Sequence, residues 1–279
     1  MATDERLTLR EAAERLGVHY MTAYRYVRTG RLPAAKEGAE WRVQPADLAV
    51  LGAAPAAPAP RRRQTTHPRR FLDRLLVGDE PGAWQVVQES LAGGREPAAI
   101  YTELVTPALR EIGTRWAAGD IDIADEHRAS TLVSRVIGRL GPQFARPGRK
   151  RGAVVIGVVA GDSHGLPTAL LGDLLRGAGY EVHDLGADTP AASFVHTVEA
   201  VAQLRAVGVC ATVLPDPRVA AATIAALRST TNVPILLGGG AITDAAMARS
   251  LGADGWAASA ADAVVAFESA TTDGIGAAG

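Results

Sequence analysis

Gly157-Val158-Val159-Ala160-Gly161-Asp162-Ser163-His164-Gly165-Leu166-Pro167 is the stretch from which the architecture of this chain follows. An apolar run from Ala153 to Ala160 has the composition of a strand buried on both faces. It feeds a tight Gly161-Asp162-Ser163-His164 turn. Thr168 to Arg176 then reads as a helix, with Pro167 in its first turn, where a missing N–H costs little. Strand, turn and helix open a parallel α/β sheet. In such sheets ligands bind beyond the carboxyl ends of the strands, which is where Asp162 and His164 belong. The plainer reading of the pair is that Asp162 caps the helix and His164 is an exposed loop histidine.

The alternation continues. Strands fit 153–159, 180–185, 206–213, 234–237 and 254–257, and helices fit 167–177, 191–204, 217–229, 243–251 and 260–270. Five βα units in this order predict a flavodoxin-like (Rossmann-type) parallel sheet over residues 152–272, followed by an unstructured tail at 273–279. Asp184, Asp188 and Thr189 fall at a second strand end and are candidates to line the same pocket.

The turn resembles the signature of cobalamin-binding domains, Asp-x-His-x-x-Gly, followed by a Ser-x-Leu-like element and a Gly-Gly element. Asp162-Ser163-His164 matches, but Pro167 stands where the family has glycine. The second element falls near Val209-Cys210-Ala211-Thr212-Val213, with Cys210 or Thr212 in place of serine. The third, Gly238-Gly239-Gly240, is intact. The resemblance implies that His164 is the lower axial ligand of cobalt and that Asp162 orients it. It also implies that Thr212 and Gly238 to Gly240 wall a slot for the cofactor's nucleotide tail. Imidazole suits a first-row transition metal, and a carboxylate on its other nitrogen fixes the tautomer and raises basicity.

At the amino end, Thr8 with Glu11 forms a capping box that opens a helix, and Gly17 closes it. His19 to Arg28 reads as a second helix offering Tyr20, Thr22, Arg25 and Arg28. Lys36 to Val43, with Arg42 in it, reads as a hairpin wing with Gly38 near its tip, and Pro45 starts another helix. Residues 7–51 resemble the winged helix-turn-helix of the excisionase and MerR families. The charge agrees with this. Residues 1–70 hold 13 Lys+Arg against 7 Asp+Glu, while the net charge of the whole chain is −1. A basic head on an acidic body predicts contact with a polyanion, here a double-stranded DNA operator read by Tyr20, Thr22, Arg25, Arg28 and Arg42. The alternative is a helical hairpin for protein contact with a solvated arginine face.

Residues 52–70 are rich in Pro, Ala and Arg and read as an extended linker. Residues 71–146 carry helical periodicity, and four helices fit at 71–77, 82–92, 97–117 and 123–141, an up-down bundle in which Pro107 should bend the third helix. Within it, Trp116 is followed after nine residues by Glu126-His127. That spacing resembles the cap of cobalamin-dependent transcription regulators, best known as light-responsive repressors of carotenoid synthesis. The resemblance implies adenosylcobalamin, with Trp116, Glu126 and His127 over its upper face. In those repressors a histidine directly follows the tryptophan, whereas here the position is Ala117.

A single cysteine excludes a disulfide framework. No run of eighteen apolar residues and no apolar leader is present, which predicts a cytoplasmic protein without a membrane partner. The expectation is a non-enzymatic, cobalamin-dependent transcriptional regulator of multidomain α plus α/β architecture, with a head at 1–51, a cap at 71–146 and a sheet domain at 152–272. It would self-associate as a dimer or tetramer, and cofactor state would set DNA binding. The alternatives are a corrinoid carrier of a methyltransferase system, or a DNA-binding regulator whose sheet domain holds another chromophore or none.

Overall fold

The computed structural model describes residues 6–28, 30–37, 40–48, 67–213 and 216–273. The expected wing tip at Gly38, most of the linker and the tail beyond 273 lie outside the described residues.

The head opens with β1 (Leu7–Thr8) and α1 (Leu9–Leu16). The Thr8 hydroxyl accepts the Glu11 amide at 3.2 Å, and the Glu11 carboxylate accepts the Thr8 amide at 2.8 Å. This reciprocal cap satisfies donors that the first helical turn leaves without partners. After α2 (Tyr20–Arg28), β2 (Ala34–Glu37) and β3 (Glu40–Val43) pair antiparallel, with Ala34 opposite Val43, and α3 (Pro45–Leu48) follows. β1 adds to the far edge of β3, with Leu7 also opposite Val43, giving the order β1-β3-β2. Two residues carry no readable alternation, so this third strand has no signature in the sequence. Leu9, Ala12, Ala13, Ala23, Leu32 and Val43 make the small core.

The helical region runs α4 (His67–Val77), α5 (Glu80–Ala92), α6 (Pro97–Ile100), a π-helical turn (Tyr101–Val105), α7 (Thr106–Ala118) and α8 (Ile123–Leu140). α4 begins at His67, so the last four residues assigned to the linker are helical. Asp79 caps α5 by accepting the Gly82 amide at 2.9 Å. Pro107 bends its helix in a specific way. Immediately before it the hydrogen bonds slip one residue, the Thr106 amide reaching Tyr101, which relieves the clash a proline ring makes with the preceding turn. Tyr101, Leu104 and Val105 of this turn are buried. The Arg128 guanidinium donates to the Leu76 carbonyl at 3.0 Å, tying the start of α8 to the end of α4.

The chain divides inside α8 into two compact units, Met1–Val133 and Ser134–Gly279. In the second, five parallel strands are ordered β5-β4-β6-β7-β8: β4 (Ala153–Val158), β5 (Glu181–Asp184), β6 (Leu204–Cys210), β7 (Ile235–Gly238) and β8 (Gly255–Ala257). All six residues of β4 are buried, as a central strand covered on both faces requires. On one face lie α9 (Leu166–Gly177) and α13 (Ala260–Asp273), anchored by Leu175 and Phe267. On the other lie α10 (Ala191–Ala200), α11 (Pro217–Arg228) and α12 (Ala245–Ser250), anchored by Phe194, Ile224 and Ala248. α10 stops four residues short of its expected end. Gln203, with φ of 55°, turns the chain into β6. The order puts β4 and β6 side by side, with their carboxyl ends at Val158 and Cys210. The helix connections of β4 and β6 leave on opposite faces there, which makes this the switch point where such sheets bind ligands.

Candidate functional site

Asp162 sits at that switch point, in the loop after β4, and is 2% exposed. Its Oδ1 lies 2.6 Å from the His164 ring Nδ1 and accepts the His164 amide at 3.1 Å. Its Oδ2 accepts the Thr212 amide at 2.6 Å and the Val213 amide at 3.0 Å, both from the loop after β6. The loop itself is pinned by the Asp188 amide donating to the Asp162 carbonyl at 2.9 Å, and by the Gly161 amide donating to Asp188 Oδ1 at 2.7 Å. Burial pushes the Asp162 carboxyl up. The His164 ring and the Val213, His164 and Thr212 amides outweigh it and hold the group below the usual carboxylate range. An ionised carboxylate only accepts, so Nδ1 carries a proton, and in the neutral ring the lone pair is then on Nε2. The His164 side chain is 49% exposed, against 1% for Asp162. The helix α9 takes no cap from Asp162, since its N-cap residue is Gly165, so the plainer capping role does not apply.

Thr212 was one of two residues offered for the serine position. It contributes its backbone amide, while its hydroxyl lies 3.9 Å from the Cys210 sulfur. Burial pushes the Cys210 thiol up to about 11. Gly238 ends β7, and Gly239 and Gly240 follow it and lie against this loop. A Cβ on Gly239 would stand 2.4 Å from the Ala211 carbonyl oxygen, and its φ is +103°. Glycine is the one residue that allows this approach. Of the residues at the neighbouring strand end, Thr189 is buried and donates to the Leu185 carbonyl at 3.2 Å. Asp184 accepts the Gly186 amide at 2.9 Å, and burial pushes its carboxyl up. Asp188 supports the Asp162 loop through the two bonds given above.

Trp116 lies two residues before the end of α7, and Glu126 and His127 lie in the first two turns of α8, so the short hairpin brings all three to the same end. The Trp116 Nε1 is buried without a hydrogen-bond partner. Glu126 accepts the Ser130 hydroxyl at 2.6 Å, and the exposed His127 ring approaches its carboxylate at 3.6 Å. Ala117 is exposed.

The head residues divide. Tyr20 and Arg28 are exposed, and Arg42 is partly exposed and paired with Glu40 at 3.1 Å. Thr22 and Arg25 are covered, at 1% and 4% exposure. Their expected presentation to solvent is therefore corrected. Exposure, not helical spacing, makes this division, since Arg25 and Arg28 are i, i+3 neighbours on α2.

Among the described residues no group of three or more His, Cys, Asp or Glu could hold a metal ion. No helix among the described residues is long and apolar enough to cross a membrane. Residues 152–266 match a family described as B12 binding domain, residues 69–140 match a second family of that description, and residues 6–51 match a helix-turn-helix domain. A corrinoid protein of Desulfitobacterium hafniense (strain Y51) is 26% identical over 196 residues, covering 68% of this chain and 90% of its own length. The dimethylamine corrinoid protein of Methanosarcina barkeri is 29% identical over 184 residues, covering 64% and 85%. Among solved structures, the Methanosarcina barkeri monomethylamine corrinoid protein shares the fold with a TM-score of 0.63 at 21% identity, over 71% of this chain and 95% of that one.

Proposed function

We propose that this chain is a corrinoid-binding protein whose body follows the plan of the corrinoid carriers, with His164 as the lower ligand of cobalt. The observation that carries this reading is the buried Asp162 carboxylate 2.6 Å from His164 Nδ1, which sets the tautomer a metal ligand needs. The residues fit the group. One imidazole suits a metal already held in a macrocycle, and Gly238 to Gly240 offer a partly exposed surface without side chains beside the ligand loop. When bound, a corrinoid supplies a cobalt centre that carries an alkyl group. The protein's share is to hold the imidazole, fix its proton on Nδ1 and keep Asp162 charged. Trp116, Glu126 and His127 are proposed as contacts of the upper ligand, and adenosylcobalamin as the form bound, on their resemblance to the regulators' cap.

The corrinoid relatives favour a carrier that serves a methyltransferase, the reading held above as the alternative, over a regulator. Such a carrier is not itself the catalyst. One observation favours regulation as a second reading. The head matches a helix-turn-helix family and carries exposed Tyr20 and Arg28 on α2, so the corrinoid body would control DNA binding.

The deciding experiment is titration of the full chain with hydroxocobalamin, followed by absorbance and by electron paramagnetic resonance after reduction to Co(II). With isotopically nitrogen-labelled protein, the wild type should show a protein-derived nitrogen ligand that His164→Ala lacks, since the cofactor's own base is unlabelled. Identical spectra from the two proteins would overturn the assignment.

A further inference from the structure

The head's Arg25 is a long, always charged side chain, yet it is 4% exposed. What covers it is the hairpin that ends α7. The Arg25 Nη1 donates to the Ile121 carbonyl at 3.0 Å, and its guanidinium lies 5.7 Å from the centre of the Trp116 ring. Arg31 follows the same path. Its Nη1 reaches the Ala118 carbonyl at 3.4 Å, and it lies so close to Gly119 that a side chain there would displace it. The last carbonyls of a helix lack intrahelical partners and carry the negative end of its dipole, so two arginines are well matched to this end. Asp120 and Asp122 of the hairpin add charge of the same sign. Thr22, one turn before Arg25 and on its face of α2, is 1% exposed with its hydroxyl unpaired. A hydroxyl and a guanidinium are costly to cover on a face built only for solvent.

We infer that the Trp116–Asp122 hairpin is an intramolecular docking site for α2, which covers the Thr22/Arg25 face and competes with nucleic acid for it. Duplex DNA offers the same chemistry, a row of anionic oxygen acceptors for arginine. Engaging it through Arg25 requires the head to leave the hairpin, which uncovers Trp116. The residue proposed for the cofactor's upper face and the arginine proposed for DNA therefore hold each other in the closed form. This inference rests on the second reading only for the identity of the competitor. The docking itself stands on the contacts.

The test uses the full chain without cofactor and two independent readouts. Hydrogen exchange reports docking, and fluorescence anisotropy with a random-sequence 30-base-pair duplex at low salt reports DNA binding. Trp116→Ala removes the ring from the hairpin without touching the head. It should speed amide exchange across residues 20–31 and tighten DNA binding about tenfold, the scale of a buried cation–π contact, whereas Trp116→Phe should change both far less. Arg31→Ala, at the exposed rim, covers the case in which Trp116→Ala damages the helical region. It should speed exchange over the same residues with the circular dichroism melt unchanged. Unchanged exchange over residues 20–31 in both Trp116→Ala and Arg31→Ala would overturn the docking. Faster exchange with no DNA binding by any variant would leave the docking in place and remove DNA as the competitor.

Discussion

Asp162 and Thr212, fifty positions apart in the chain, are joined by a 2.6 Å hydrogen bond from the Thr212 amide to Asp162 Oδ2. With the Val213 amide at 3.0 Å on the same oxygen, the bond ties the loop after β4 to the loop after β6. The carboxylate has one oxygen for the second loop and one for His164, so the position of the imidazole is set by both strands. Asp162→Asn keeps the size but turns an amide NH2 towards donors. The folded protein should lose about 1–3 kcal/mol, because a buried donor is left facing a donor. Corrinoid affinity should drop about 10–100-fold, the usual effect of removing the partner that orients a metal-binding histidine. Urea denaturation and spectroscopic titration measure the two separately, and unchanged affinity with lowered stability would show that Asp162 does not orient His164.

The two carboxylates at this end of the sheet, buried Asp162 and half-buried Asp184, should respond to pH in opposite senses. Asp162 is held below the ordinary range, so its stabilisation is complete above the unfolded-state value near 4 and is lost as pH falls through the folded value. Asp184 is pushed up by burial, so stability declines as pH rises through its raised value. Compared with wild type at pH 7, Asp162→Asn should melt lower and Asp184→Asn higher. Both differences should shrink as pH is brought towards 3. A pH-independent gap for either variant would assign its effect to packing instead.

Much of this was legible in the chain itself, and the exceptions have a common cause. The strand–turn–helix around Asp162 and the capping box at Thr8 are written in side-chain patterns, and the structure places both as read. The partner of Asp162 is a pair of backbone amides, which no side-chain pattern reports. Position 212 therefore looked like a degraded serine site. The covered face of α2 was hidden for a different reason. A short helix with polar residues all round does not say which face meets a partner, so Thr22 and Arg25 were grouped with the exposed Tyr20 and Arg28. The slip of hydrogen bonds before Pro107 is a backbone adjustment too. Proline announces a bend but not the way the preceding turn absorbs it.

Gly239→Ala should be among the most damaging single-methyl additions in the sheet domain. The new Cβ meets backbone atoms of Ala211, which cannot swing aside, and the positive φ is itself unfavourable for alanine. The strain displaces the loop carrying Thr212 and Val213, and with it two donors to Asp162. A fall of several degrees in melting temperature together with lost corrinoid uptake is expected, while Gly165→Ala, where the nearest side chain is 3.5 Å away, should be mild by comparison. Equal melting curves for the two would mean that β7 is free to shift.

Cys210, beside Asp162, should be an inert thiol. With its pKa pushed up to about 11, only about a thousandth of it is thiolate at pH 8. Iodoacetamide at that pH should alkylate it about a hundredfold more slowly in the folded protein than in urea, as read by mass spectrometry of the intact chain. Rapid labelling of folded protein would show that the loop after β6 opens on the labelling timescale.

Arg28 separates the two readings of the whole chain. It is exposed on α2 and, unlike Arg25, no contact with the α7 hairpin covers it. If the head binds DNA, Arg28→Ala should weaken binding to duplex DNA of any sequence. The slope of log affinity against log salt should fall by about one when a single phosphate contact is lost, or the loss should concentrate on one base position if Arg28 reads a base edge. Hydroxocobalamin uptake should be unchanged, since Arg28 lies far along the chain from the loop that carries His164. The carrier reading makes the opposite forecast. A head used for protein contact would bind duplex DNA at no salt concentration, with or without corrinoid, and Arg28→Ala would be silent in that assay. Because the Trp116→Ala protein should have its α2 face uncovered, absence of binding by that variant as well would exclude a merely masked head and leave the carrier reading standing.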